Sequence, residues 1–140
     1  MDQESIVYGC IKDSAHFATD SERRRNNRQV MLSLPAADDW PYLCREMFSI
    51  PRIEVGYDNY HTEVMHFGAS YKAIEYEWNQ WMAKFEALLA QLYWMSAVVH
   101  LETELSGTHT FTWESTSNGH QPGRGIYQAR CEWSHENIFL

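Results

Sequence analysis

The sequence predicts an α+β fold: an antiparallel sheet of about five to six strands, covered on one face by a long amphipathic helix, with one or two short N-terminal helices. Three observations predict it. Ile74, Trp78, Trp81, Met82, Phe85, Leu88, Leu89 and Leu92 recur at steps of three and four, one stripe at the helical period, while Glu75, Glu77, Asn79, Gln80, Lys84, Glu86 and Gln91 fall mostly off it. From Ala97 to Leu105 the period changes to two: Ala97, Val99, Leu101, Thr103 and Leu105 alternate with Val98, His100, Glu102 and Glu104. A chain of 140 residues that is 44% hydrophobic and 14% aromatic buries roughly two thirds of its unfolded surface in one core, so residues 1–140 are read as a single domain.

Each element has its own signal. Ser5–Lys12 is β-branched and aromatic around Gly9, a first strand with a bulge or a close neighbour at the glycine. Thr19, Asp20 or Ser21 caps a helix running to about Leu34, which Pro35 ends, with Val30, Met31 and Leu34 on its buried side. Asp39 caps a second, brief helix with Pro41 near its start, ending before Ser49. Arg52–Tyr57 and Glu63–Ser70 form a hairpin through Asp58-Asn59-Tyr60-His61. The long helix then runs from about Tyr71 to Tyr93, about 33 Å at 1.5 Å per residue. Ser106-Gly107-Thr108 turns the chain as a three-residue loop, placing Leu105 opposite His109, Thr103 opposite Phe111 and Leu101 opposite Trp113. A two-residue loop would set the apolar face against Thr108, Thr110 and Thr112. Thr116–Gly125 is a loop by composition, and Ile126–Trp133 is the last strand.

Charge and cysteine usage narrow the function classes. A net charge of −8 disfavours nucleic acid as a partner, because phosphate binding needs a concentrated positive surface. The exception is local: Arg23, Arg24, Arg25 and Arg28 form a basic run that is read as a solvated face, with a docking patch as the alternative. No apolar run reaches the roughly 18 residues of a membrane span, and Met-Asp-Gln-Glu-Ser lacks the features of a secretory signal, so a cytoplasmic protein without a membrane partner is expected. Cys10, Cys44 and Cys131 are odd in number and far apart, which argues for reduced structural thiols.

Candidate chemistry is sparse. His61, Glu63 and His66 lie close in sequence but do not share one strand face, so a common metal ion needs a bend. His100 and Glu102 do share a face, and with His109 or Glu104 they could hold a cation or set a general acid beside a base, the basis of an alternative reading as a small hydrolase or ligand-binding enzyme. The chain lacks G-x-S-x-G, H-E-x-x-H and P-loop patterns, and Gly119, Gly123 and Gly125 sit in a loop with no strand leading in. No catalytic residue, metal or cofactor is therefore expected. Tryptophan is the remaining signal: Trp78, Trp81 and Trp94 are expected in the core, whereas Trp40, Trp113 and Trp133 are less constrained. Aromatic rings beside carboxylates are typical of protein interfaces, which makes Asp38, Asp39 and Trp40, together with Glu102, Glu104, Trp113 and Glu114, the candidate partner-binding residues.

The segments Ile6-Val-Tyr-Gly-Cys-Ile11, Ser33-Leu-Pro35, Phe48-Ser-Ile-Pro51, Ala73-Ile-Glu-Tyr-Glu-Trp78 and His100-Leu-Glu-Thr-Glu104 resemble the small cytoplasmic immunity proteins that Gram-negative bacteria encode beside secreted antibacterial effectors. The resemblance spans most of the chain and implies a role without assigning a site. It implies a non-enzymatic protein that binds and blocks a toxin delivered by contact-dependent or type VI secretion, and an acidic inhibitor suits a basic toxin. A homodimer is compatible with this role, and a phage or regulatory adaptor is a further alternative.

Overall fold

A computed structural model describes residues 4–13, 20–50, 63–115, 119–126 and 129–134 of the chain. Its elements in order are strand β1 (Glu4–Asp13), helix α1 (Asp20–Leu32), a 3-10 turn at Arg45–Met47, strand β2 (Glu63–Lys72), a 3-10 turn at Ile74–Glu77, helix α2 (Trp78–Leu89), and strands β3 (Ser96–Thr103), β4 (Gly107–Glu114) and β5 (Arg130–Ser134). The fold is α+β, and the five strands make one antiparallel sheet in the order β2-β1-β3-β4-β5.

Period-two alternation gives the sheet two different faces. Val7, Ile11, Met65, Phe67, Tyr71, Ala97, Val99, Leu101 and Trp113, all odd-numbered, are buried beneath the helices. None of the even-numbered strand residues with a described side chain is buried. The core closes when α2 lays its stripe on the odd face: Trp81, Phe85, Leu88 and Leu89 are buried, with the Phe85 ring 5.1 Å from Trp113 and 5.4 Å from Phe67. Gly9 has the close neighbour expected of it, since a Cβ there would meet the Val98 carbonyl oxygen and the Phe67 ring. The segment after β4 packs back on the helical layer, where His120 stacks on Trp94 at 4.9 Å and presents its two ring nitrogens to the carbonyls of Leu92 and Arg124.

The structure corrects several expectations. The long helix from Tyr71 is replaced by a strand that continues through Lys72, a left-handed Ala73 (φ 51°, ψ 45°), a 3-10 turn and a 12-residue α2. The reason is pairing: Tyr71 sits opposite Ser5, and its ring belongs to the buried face of the strand. The N-terminal helix is not short, because α1 has 13 residues and is the longer α-helix. The second helix reduces to the 3-10 turn at Arg45–Met47: Asp38 accepts from the Leu43 N–H, and the chain between them bends at Trp40 and Pro41. Arg52–Tyr57 and the turn after it lie outside the described residues, and Glu63–Lys72 pairs with β1. The β3–β4 loop has the expected three residues but comes two residues early: Thr103 faces Gly107 and Leu101 faces His109, leaving Leu105 in the turn and 69% exposed. Gly107 (φ 82°) closes this turn in a conformation that an L side chain rarely adopts. The last strand starts later than expected, at Arg130.

Ala73 carries a cost that a single change removes. An L residue in the left-handed region is strained by about 1–2 kcal/mol, and glycine offsets part of that gain by its freedom in the unfolded chain. Ala73→Gly is therefore expected to raise stability by roughly 0.5–1 kcal/mol, read as a small increase in Tm by thermal denaturation. A decrease would contradict the left-handed assignment.

Candidate functional site

The even face of the sheet is built in cross-strand rows. One row runs Ser70, Ile6, Glu102, Thr108 from β2 to β4, the next runs Gly68, Tyr8, His100, Thr110, Glu132 across the whole sheet, and Lys72 faces Glu4 at the end of β1. Ile6 is 44% exposed and Tyr8 36% exposed, although both lie in a strand paired on its two sides. The two stand in neighbouring rows of one face, with the Tyr8 ring 4.9 Å from His100.

The Trp40 segment joins this face at its β2 end. The Tyr42 hydroxyl donates to the Ser70 carbonyl at 2.6 Å, the Tyr71 hydroxyl donates to the Tyr42 carbonyl at 2.8 Å, and the Tyr42 and Tyr71 rings stack at 4.5 Å. Trp40 stands edge-on to both rings and is 44% exposed. Together with Glu4, Ser70 and Lys72 these rings line a groove of about 500 Å³. Burial pushes both phenols above the ordinary tyrosine range, so they remain protonated donors. Beneath them the Trp81 indole N–H donates to the Tyr71 hydroxyl at 2.9 Å, tying the groove wall to α2.

The candidate residues divide. Asp38 accepts from Lys84 Nζ at 2.8 Å and from the Leu43 N–H, and these bonds, the lysine first, hold its carboxyl below the ordinary range. It is committed to pinning the segment to α2. Asp39 is exposed, and its carbonyl also accepts from Lys84. Glu102 lies on the open face beside Ile6, and Glu104 is exposed in the adjoining turn. Strands about 4.8 Å apart place Glu102 roughly 10 Å from the β2 edge that carries the Trp40 groove. Trp40, Glu102 and Glu104 thus gather at one end of the molecule with Glu4.

Trp113 does not join them. It is 1% exposed on the opposite face, its ring against Phe85 and its Nε1–H donating to Glu86 at 2.9 Å. Glu114 is on the open face but six residues along β4 from Thr108, about 20 Å from Glu102, and it pairs with Arg130 at 3.0 Å. His100 lies beside Glu102 with its Nδ1 bonded to Thr110 Oγ1 at 2.9 Å and its ring 4.9 Å from Tyr8. His109 is on the other face, bonded to Ser106 Oγ, so it cannot complete a set with His100 and Glu102. His61 of the sequence-suggested metal trio lies outside the described residues.

Arg23 is the residue most at odds with its sequence context. Its guanidinium is buried, with Nε donating to Asp13 Oδ2 at 2.9 Å and the second nitrogen to Oδ1, and it lies over the Tyr93 ring at 4.6 Å. The basic run is therefore not a uniformly solvated face, since Arg23 is a structural member, and α1 sits on the helical layer, where its Met31 joins the core. Ile6, Tyr8 and Tyr42 were not singled out from sequence as surface residues. The available signal was the alternation in β1, which sets Ile6 and Tyr8 with Glu4 and Lys12 and against Val7 and Ile11.

No family model, curated protein or solved structure matches this chain.

Proposed function

We propose that this chain is an immunity protein that binds a cognate secreted antibacterial toxin and neutralises it by occluding its active site or substrate entrance. The observation that carries the proposal is the continuous surface on which exposed Trp40 and the groove of Tyr42, Glu4 and Lys72 adjoin Ile6, Tyr8, Glu102 and Glu104. This is the composition of an interface: rings and an aliphatic side chain supply area to desolvate, and carboxylates around them select a basic partner. The arginines of α1 lie on the far layer, so the acidic end is turned toward an incoming positive surface.

The test is co-expression with the product of the adjacent open reading frame. The expected result is a toxic product whose effect this chain relieves and with which it co-purifies. A non-toxic product, or a toxic one that this chain neither binds nor relieves, overturns the proposal. Charge and rings should fail differently in that complex. Glu102→Lys with Glu104→Lys is expected to lower the association rate by roughly tenfold at low salt and to flatten its salt dependence. Trp40→Ala is expected to act mainly on dissociation.

A further inference from the structure

We infer that two copies of this chain associate edge to edge through β5, in one antiparallel register. This goes beyond the toxin-binding proposal and does not rest on it. The two edges of the sheet are finished differently. At β2, the Ser49 N–H donates to the His66 carbonyl, Ser49 Oγ accepts from the His66 N–H, and the Tyr42 hydroxyl donates to the Ser70 carbonyl, so outward main-chain groups are taken at two positions. At β5 the sequence Arg130-Cys131-Glu132-Trp133-Ser134 carries neither proline nor lysine, and among the described residues none bonds the outward main-chain groups of Cys131.

The direction of those groups follows from the ladder. The Ser115 N–H donates to the Met95 carbonyl at 3.0 Å on the β3–β4 register, so odd-numbered residues of these two strands exchange main-chain bonds. By alternation β4 turns its even residues toward β5, where Thr112 faces Arg130 and Thr110 faces Glu132. Cys131 then directs its N–H and C=O away from the sheet, ready to exchange bonds with another strand.

Symmetry and charge select the partner and the register. A twofold axis normal to the sheet keeps the helical layer of both copies on one side, and such pairs are centred on a residue. A centre at Glu132 sets carboxylate against carboxylate, and a centre at Arg130 sets guanidinium against guanidinium. A centre at Cys131 places Arg130 opposite Glu132 of the second copy twice over, Cys131 opposite Cys131, and Trp133 opposite the small Ala129. Of the three centres it is the one that sets opposite charges against each other. The charged pairs lie on the open face and the thiols on the helical side.

Sedimentation equilibrium of the full chain tests this. The wild-type chain is expected to show a concentration-dependent dimer. Arg130→Glu or Glu132→Arg alone turns two attractive cross-strand pairs into two repulsive ones, and each is expected to raise the dimer Kd by roughly tenfold or more. Glu114 pairs with Arg130 within one copy, so the exchange is made in a Glu114→Gln chain: there the combined Arg130→Glu/Glu132→Arg exchange restores the cross-copy pairing and is expected to return the Kd to within about threefold of the Glu114→Gln chain. Cys131→Pro removes the outward N–H without touching the β4 ladder and is expected to abolish the dimer while leaving the far-UV circular dichroism unchanged. In a Cys10→Ala/Cys44→Ala chain, diamide is expected to join the two Cys131 thiols, the two hydrogens passing to its azo group. A hydrogen-bonded antiparallel pair has Cα atoms about 5.5 Å apart, within disulfide range. A wild-type chain that stays monomeric up to about 0.5 mM, single reversals that leave the Kd unchanged, or a double exchange no tighter than the singles would overturn the inference.

Discussion

Asp13→Ala is expected to cost about 3–5 kcal/mol of folding stability, because it removes the bidentate carboxylate from the Arg23 guanidinium in a site where that side chain is only 5% exposed. Asp13 ends β1, and the paired arginine comes from the first turns of α1, so one bidentate contact fastens the helix to the sheet. The same guanidinium covers the Tyr93 ring, and Asn27 on the next turn of α1 exchanges two hydrogen bonds of 2.8 Å with the Tyr93 main chain. Losing the carboxylate takes the bidentate acceptor from a buried charge while these neighbours keep it from reaching water. The loss should lower Tm by roughly 10–20 °C. Replacing both partners with apolar residues of similar size, Asp13→Leu with Arg23→Met, removes the buried charge and is expected to be less harmful than Asp13→Ala alone. Near-wild-type stability of Asp13→Ala would show that α1 is anchored by something else.

Trp81→Ala is expected to cost a comparable 3–5 kcal/mol in urea denaturation. The ring is fully buried in the middle of a run of stacked aromatics, 5.0 Å from Trp78 and 5.3 Å from Phe85, with Phe67 of the sheet beneath it at 6.5 Å. Its removal opens a cavity between α2 and β2 and takes a donor from the Tyr71 hydroxyl, loosening the wall of the Trp40 groove. Trp81→Phe keeps a six-membered ring in the stack but loses the N–H and part of the indole's volume, so it should fall clearly between wild type and alanine. Equal stability of all three chains would contradict the packing of α2 on the sheet.

Periodicity carried much of this architecture, and its failures have physical causes. The two-residue alternation from Ala97 onward marks the buried face of β3 correctly, because a half-buried strand leaves that pattern in any register. The loop position was less legible. Moving the turn by two residues preserves every side-chain face, so hydrophobicity cannot distinguish Leu105 paired from Leu105 exposed; the positive φ available to Gly107 is what sets it. The helical stripe ran too far for a related reason. Tyr71 belongs to a strand and Ile74 to a 3-10 turn, yet both are buried, and burial alone does not reveal the left-handed residue between them.

The candidate surface was legible in part. Asp39, Trp40 and Glu104 are exposed and Glu102 is half-buried, and the sheet order brings the Trp40 and Glu102 segments to one end of the molecule, which the sequence, with its two separate clusters, did not show. Trp113 was misplaced because nearness to Glu114 in sequence is not nearness on a strand, where adjacent residues point to opposite faces. Its opposition to Ala97 puts it with the core. Arg23 was hidden by its neighbours: a run of arginines looks uniformly solvated, and nothing local shows that one of them meets a carboxylate ten residues earlier at the end of a strand.

On the function proposed above, this chain inhibits a toxin directly by covering it. The most direct measurement is a titration of the purified cognate toxin, its activity followed as the chain is added. Direct occlusion predicts that activity falls in proportion to added chain and vanishes at equimolar amounts, and that a chain carrying Trp40→Ala, Glu102→Lys and Glu104→Lys, folded by circular dichroism, needs a large excess for the same effect. Toxin activity that is unchanged in the presence of excess wild-type chain would contradict it.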